Sequence, residues 1–226
     1  MSSEPDQLQG IARRALDLIP AGSAIGLGTG RAATAFIHAL GEQVQQGFVV
    51  RGVPTSHASA ELATKLGIPL TTLAQDPVLE VDVDGADEVD PQGNLIKGYG
   101  GALVREKIVA TAAKRLVILV GEEKLVPVLG RRGNLPIEVI PFGLETSQRA
   151  LSRLGFESSV RQVAGKPQLT DNGNLILDCR VTDLADPAQT ERRIRAIPGV
   201  VGTGLFLNMH PLVLVQSGDR VFEHTS

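Results

Sequence analysis

The chain alternates short apolar runs with helical periods, and glycine-rich turns fall where one gives way to the other. Leu8, Ile11, Ala12, Ala15, Leu16 and Ile19 recur at helical spacing, Pro20-Ala21-Gly22 stops that helix, and Ser23 to Leu27 reads as a buried strand. The rhythm continues with a helix over 32–45, strand Phe48 to Val50, helix His57 to Leu66, strand Val78 to Val83, helix over 101–114 and strand Arg115 to Val120. Repeated βα units predict a mainly parallel sheet covered by helices. Past Gly130 the order changes to a strand near Ile137 to Ile140, helix 144–154, a strand near Glu157 to Val163, strand Asn174 to Cys179, helix 187–196 and a strand near Val200 to Phe206. That βαββαβ order is the split, ferredoxin-like α+β unit, with Asp171-Asn172-Gly173 as the hairpin signal between its two central strands. Leu212 to Gln216 is apolar again and is expected to return to the first sheet. The expected fold is therefore α/β, with a main domain at 1–130 and 207–226 and a smaller α+β domain inserted at 131–206.

Composition narrows the function classes. The 226 residues exceed one average domain, and 42% apolar with 21% charged residues fits an ordinary globule. A formal charge of -3, with 22 scattered Lys and Arg, leaves no basic footprint for nucleic acid. No apolar run approaches transmembrane length and Met1 to Gln9 is polar, so neither a membrane partner nor a signal peptide is expected. Cys179 is the only cysteine, which suits a reducing compartment, and the cytoplasm is the expected location. His38, His57, His210 and His224 lack zinc-ligand spacing, so no metal site is expected from them.

The residues that make poor core lie in 84–106, DGADEVDPQGNLIKGYGGALVRE. If Gly100 and Gly101 open a helix, the neighbours of Glu106 on its own stripe are Ala102, Leu103, Val109 and Ala110, all apolar. A glutamate there is either on a misread surface or in a partly dry cleft, where its carboxyl becomes a better proton acceptor near neutral pH. Asp84-Gly85-Ala86-Asp87 follows a strand, at the edge where open α/β sheets place ligands. Its two carboxylates suit sugar hydroxyls or a magnesium ion, or a turn bonding its own backbone. Calcium-loop spacing fails, because Asp87 stands where that loop needs glycine. Lys97-Gly98-Tyr99-Gly100-Gly101 spends backbone entropy that an ordinary connection avoids, and Lys97 is a candidate for neutralising an oxyanion. Lys124 would add a cation at the same edge; alone, it reads as a surface lysine.

Gly26-Leu27-Gly28-Thr29-Gly30-Arg31-Ala32-Ala33 is a glycine turn between strand and helix, readable as a tight turn or as a phosphate cradle. It meets the loose dinucleotide pattern, but Arg51 and Gly52 stand where a ribose-binding acid belongs; an arginine there would suit only a phosphorylated cofactor. Thr55-Ser56-His57 reads first as a helix cap, and no Ser-His-Asp order supports a triad. Cys179, within an apolar strand, reads as inert core.

With these residues in view, the chain resembles the ribose-5-phosphate isomerases of type A over nearly its whole length. The stretches that carry the resemblance are GLGTG at 26–30, DGADEVD at 84–90, KGYGGALVREKIVA at 97–110, LPIEVIPF at 135–142 and TDNGNLILD at 170–178. The resemblance implies a Rossmann-like main domain, no metal or other cofactor, a homodimer or homotetramer, and a place in the non-oxidative pentose phosphate pathway. It implies Glu106 as the base moving a proton between C1 and C2 of a pentose phosphate, and Lys97 stabilising the enediolate. Asp84 and Asp87 would position hydroxyls and assist ring opening. Thr29, Gly30, Arg31, Ala32, Gly85, Ala86, Gly98, Tyr99, Gly100 and Lys124 would complete the substrate site. The family's first loop usually runs Thr-Gly-Ser-Thr, so Arg31 and Ala32 replace two hydroxyls with a cation and a methyl. Tyr99 interrupts the usual glycine run, and Gly121 stands where an aspartate is common before Lys124. Two other readings stand beside the isomerase: a silent sugar-phosphate sensor and a nicotinamide-dependent reductase.

Overall fold

The computed structural model describes residues 8–224; residues 1–7, on which the signal-peptide expectation mostly falls, lie outside the described residues. In chain order the strands are β1 (Ala24–Leu27), β2 (Arg51–Pro54), β3 (Val81–Gly85), β4 (Glu88–Val89), β5 (Leu95–Ile96), β6 (Leu116–Gly121), β7 (Asn134–Val139), β8 (Ser158–Val160), β9 (Gln162–Val163), β10 (Lys166–Pro167), β11 (Leu175–Arg180), β12 (Val200–Thr203), β13 (Leu205–Phe206), β14 (Leu212–Ser217) and β15 (Arg220–His224). The helices are α1 (Gln9–Leu16), α2 (Arg31–Gln45), α3 (His57–Lys65), α4 (Leu103–Ala112), α5 (Leu144–Arg153) and α6 (Pro187–Arg195). Of the described residues, those up to Ala86, Arg105–Lys124 and those from Met209 on form one compact unit. Asp87–Val104 and Leu125–Asn208 form the other.

The first unit holds a six-stranded sheet in the order β15-β14-β6-β3-β1-β2. All neighbours are parallel except the β14–β15 hairpin at one edge. Leu116 to Val120 of β6 are all buried, the pattern of a strand covered on both faces. Phe36, Ile37 and Leu40 of α2 and Ile11 and Ala15 of α1 bury their helical stripes in the same core as Ile25, Leu27 and Val83. Each large aliphatic side chain so buried contributes about 1.5–3 kcal/mol. The Leu79 amide donates to the Ala112 carbonyl, so the end of α4 meets the start of β3. Helix α4 thus runs against β3, with Glu106 toward the strand's carboxyl edge.

The second unit contains an antiparallel sheet in the order β12-β7-β11-β8, the order of the split βαββαβ unit, with its own core around Leu135, Ile137, Leu177 and Ile194. Glu138, fully buried on β7, accepts bonds through Oε1 from Thr170 Oγ1 at 3.1 Å, Asn172 Nδ2 at 3.0 Å and Asn174 Nδ2 at 2.8 Å. One carboxylate oxygen therefore organises the TDNGN turn, whose Gly173 has φ +76°. That turn does not join β8 to β11 directly, because the β9–β10 hairpin intervenes. A separate sheet, β13-β5-β4, pairs Leu205 with Ile96 and Glu88 with Ile96. This pairing groups Asp87–Val104 with the second unit, whereas the sequence division kept those residues in the first. The second strand also lies a few residues later than Phe48 to Val50, and β15 has no counterpart in the sequence reading.

Candidate functional site

In the first unit, β1, β2, β3 and β6 end together: Leu27 lies beside Pro54 and Val83, and Gly85 beside Leu119. The segments leaving this edge are the Gly28–Ala32 turn, Thr55-Ser56, Asp84–Ala86 and the short helical turn Glu122–Lys124. Asp82 and Asp84, two residues apart on β3, project from one face and are fully buried. The glycines of β1 and its turn make room for them. A Cβ on Gly26 would stand 2.1 Å from Asp82 Oδ1, and one on Gly28 would stand 2.2 Å from Asp84 Oδ1. The GxG spacing thus accommodates two carboxylates. Asp84 Oδ1 accepts bonds from the Thr29 amide at 3.1 Å and the Gly85 amide at 2.7 Å.

The face that carries these carboxylates is covered by α4, since Val109 Cγ1 lies 2.6 Å from the Cβ position of Gly26. One turn earlier on the same stripe is Glu106, 2% exposed, flanked along the helix by buried Leu103, Val109 and Ala110. The surface alternative for Glu106 is therefore overturned: the glutamate is held out of water, toward the end of the sheet that bears Asp84.

The Gly28–Ala32 turn leads into α2 through Gly30, whose φ of +108° favours glycine. Arg31 is the first residue of α2; its side chain lines a cavity of about 650 Å³ between α1 and α2, with Ala12, Arg13, Ala35 and His38. The Arg51 fork donates to Asp76, from Nε at 3.2 Å and Nη2 at 2.9 Å, so the arginine weighed for a phosphorylated cofactor bonds within the unit. Ser56 is the expected cap of α3, accepting from the Ser59 amide at 3.1 Å. Sequence reasoning missed Ser59 itself, whose only signal is its place one turn after that cap. His57 is exposed.

In the second unit, Lys97 is 3% exposed, with Nζ 5.4 Å from the Phe206 ring centroid. Its solvated-surface alternative is thereby overturned. Its amide donates to the Gly204 carbonyl at 2.9 Å, and Gly204 is needed there: a Cβ would meet the Lys97 carbonyl oxygen at 2.2 Å. The Tyr99 amide donates to Asp87 Oδ2 at 3.0 Å, which ties the glycine loop to the acidic one. Burial, then the nearby Asp87 and Glu88 charges, push the Tyr99 phenol up to about 12, while 37% of the residue stays exposed. Arg161, also missed by sequence reasoning, donates from Nη1 to the Gly98 carbonyl at 2.6 Å and the Tyr99 carbonyl at 3.1 Å. The Asp178 carboxylate holds that guanidinium from Nε at 2.9 Å. Gly98, with φ +112°, takes a backbone geometry that L side chains rarely adopt. Cys179 is a buried thiol, pushed up to about 12 by burial and the Asp178 charge, as expected of inert core.

Among the described residues, no group of three or more His, Cys, Asp or Glu side chains has the arrangement to hold a metal ion. No helix among them is long and apolar enough to cross a membrane. The sequence pattern of the family described as ribose 5-phosphate isomerase A (phosphoriboisomerase A) matches residues 51–220. The ribose-5-phosphate isomerase A of Roseiflexus castenholzii is 48% identical over 215 residues, covering 94% of this chain and 92% of that protein. That of Gloeobacter violaceus is 49% identical over 208 residues, covering 92% and 90%. The solved ribose 5-phosphate isomerase A of Methanocaldococcus jannaschii aligns with a TM-score of 0.92 at 38% identity, over 99% of this chain and 100% of its own. A D-ribose-5-phosphate isomerase solved in complex with phospho-erythronic acid gives a TM-score of 0.94 at 38% identity, over 100% of both chains.

Proposed function

The chain belongs to the ribose 5-phosphate isomerase A family, and from that premise we propose that Glu106 is the base with which it interconverts ribose 5-phosphate and ribulose 5-phosphate. The sensor and reductase readings are not favoured. The aldose and ketose differ by one proton moved between C2 and C1, with an enediolate between them. Glu106 takes the proton from C2 of the open aldose and returns it to C1, and the hydroxyl protons exchange accordingly. The observation that carries this reading is the burial of Glu106, 2% exposed on the helix covering Asp84. A dry carboxylate is the better acceptor for a carbon acid.

Lys97 stabilises the enediolate oxygen in this scheme. Its support is a cation held almost out of water, where developing negative charge is stabilised by about 2.7–4 kcal/mol per good donor. Asp84 and Asp87 accept bonds from sugar hydroxyls and assist ring opening. The Gly28–Ala32 turn and Lys124 hold the terminal phosphate, and Gly85, Ala86 and Gly98 to Gly100 shape the backbone around the sugar. The relative solved with phospho-erythronic acid supports this chemistry, because a carboxylate presents two oxygens on one planar carbon, as an enediolate does on two.

The test is turnover of ribose 5-phosphate by the wild type and by Glu106→Gln, with deuterium uptake from heavy water at C1 followed in parallel. A loss of about 10²–10⁴-fold is expected for both readouts. Near-normal turnover by the glutamine variant would remove Glu106 as the base. The proposal includes a homodimeric or homotetrameric state, supported by Phe142, which stands 99% exposed beside Ile140 at 47%. It also includes a cytoplasmic location, supported by a lone, buried cysteine.

A further inference from the structure

Three of the four residues after Lys97 are glycines, so the loop that presents this cation cannot hold one conformation through its own side chains. Its order must come from outside. The Gly101 amide donates to the Gly98 carbonyl at 3.1 Å, which closes a tight turn with Gly98 at φ +112° and Gly101 at φ +87°. Arg161, between β8 and β9, places its Nη1 2.6 Å from the Gly98 carbonyl oxygen and 3.1 Å from that of Tyr99. That nitrogen carries two N–H groups, enough for both carbonyls. Asp178 holds the rest of the fork, accepting from Nε at 2.9 Å and from Nη2, and it accepts from Asn134 Nδ2 at 2.8 Å as well. The Arg161 side chain is 11% exposed and that of Asp178 25%, so the fork is largely withdrawn from water. All these residues belong to the second unit.

The two carbonyls belong to successive peptide units. In a trans peptide the N–H points opposite to the C=O, so a fork that fixes both carbonyls also fixes the two amides that follow them. The first unit sends the Tyr99 amide to Asp87 Oδ2 at 3.0 Å, and the second turns the Gly100 amide to the side away from Arg161. A cation on each carbonyl also polarises its unit, which makes the amide a stronger donor. We infer that Arg161 is a positioning residue for the isomerisation: clamped by Asp178, it sets the loop so that the Lys97 ammonium, the Asp87 carboxylate and the Gly100 amide keep the geometry that the enediolate requires. It acts through the backbone and needs no contact with the sugar. The inference rests on the isomerase reading and deepens it.

Arg161→Ala removes the fork while keeping the backbone bonds of residue 161, from its amide to the Ile176 carbonyl and from the Gln168 amide to its own carbonyl. In steady-state turnover of ribose 5-phosphate, kcat should fall about 10²-fold with KM changed less than about threefold, because a displaced loop costs orientation more than affinity. Asp178→Asn keeps the shape without the charge. It should lower kcat by about tenfold, and the double variant should be no slower than Arg161→Ala alone. Guanidinium chloride at millimolar concentration should raise the kcat of Arg161→Ala severalfold with its thermal midpoint unchanged, and the wild type should not respond. A merely structural arginine would give a lowered thermal midpoint and no such rescue, and that result overturns the inference. So does an Arg161→Ala enzyme with wild-type kcat, or one in which KM alone rises. Should Arg161→Ala not fold, wild-type kcat in Asp178→Asn overturns the inference instead. A wild type without turnover overturns the isomerase reading itself, whereas an active wild type beside unaffected variants removes this inference alone.

Discussion

The Asp84 carboxylate fills the space that a side chain at position 28 would need. An alanine Cβ there would stand 2.2 Å from Asp84 Oδ1 and 2.6 Å from its Cβ, closer than real contacts come. Because Asp84 is fully buried on a paired strand, the turn must give way instead, and the Thr29 amide leaves the carboxylate. Gly28→Ala is therefore expected to cost about tenfold or more in kcat for ribose 5-phosphate, read by steady-state assay. Wild-type kinetics would show that the turn tolerates the displacement. The identity of Asp84, Lys97 and Glu106 as unusual residues was legible in the sequence from their apolar and glycine neighbours. The role of Gly26 and Gly28 was not, because the carboxylates they accommodate come from a strand more than fifty positions away. Arg161 was illegible for the same reason: nothing near it in sequence reveals that it bonds the carbonyls of Gly98 and Tyr99.

Strands and helices were legible where burial enforces a period. The apolar run of β6 and the stripe of α2 follow their sequence patterns closely, because each packs a continuous face into one core. At β2 the apolar signal at Phe48 to Val50 was misleading: Val49 is 63% exposed, and the sheet pairs Arg51–Pro54 with β1 instead. Arg51 is accommodated in a strand because its guanidinium reaches outward to Asp76. That bond, and a second from Thr71 Oγ1 at 2.7 Å, lower the Asp76 carboxyl to about 2. A carboxyl depressed in the folded state stabilises it at pH above its ordinary value near 3.8, and the contribution is lost as pH falls through about 2. Urea denaturation of wild type and Asp76→Asn should therefore differ above about pH 4, with wild type the more stable, and converge toward about pH 2. The pair is partly exposed, so added salt should narrow the gap. A difference independent of pH would show that Asp76 acts through its neutral hydrogen bonds alone.

At the scale of the whole molecule, chain order and spatial partnership diverge. The segment Asp87–Val104 leaves the first unit because β5 pairs with β13, more than a hundred residues on, and dipeptide strands such as β4 and β5 are too short to show a period. Assembly belongs to this scale as well. Static light scattering is expected to give a dimer or tetramer mass for the wild type, with Phe142→Glu shifted toward the monomer, since a charge in an apolar contact must be desolvated. A wild-type monomer at assay concentration would refute the oligomeric proposal. By itself the sequence determined the βα rhythm, the βαββαβ rhythm after Gly130, the return of β14 to the first sheet and the acids and lysine unsuited to a core. These are written in local period and local composition. Only the tertiary structure decided which strand faces Gly26 and Gly28, and which unit claims the glycine loop. Those outcomes depend on contacts between residues far apart in the chain, and no local pattern encodes the distance between them.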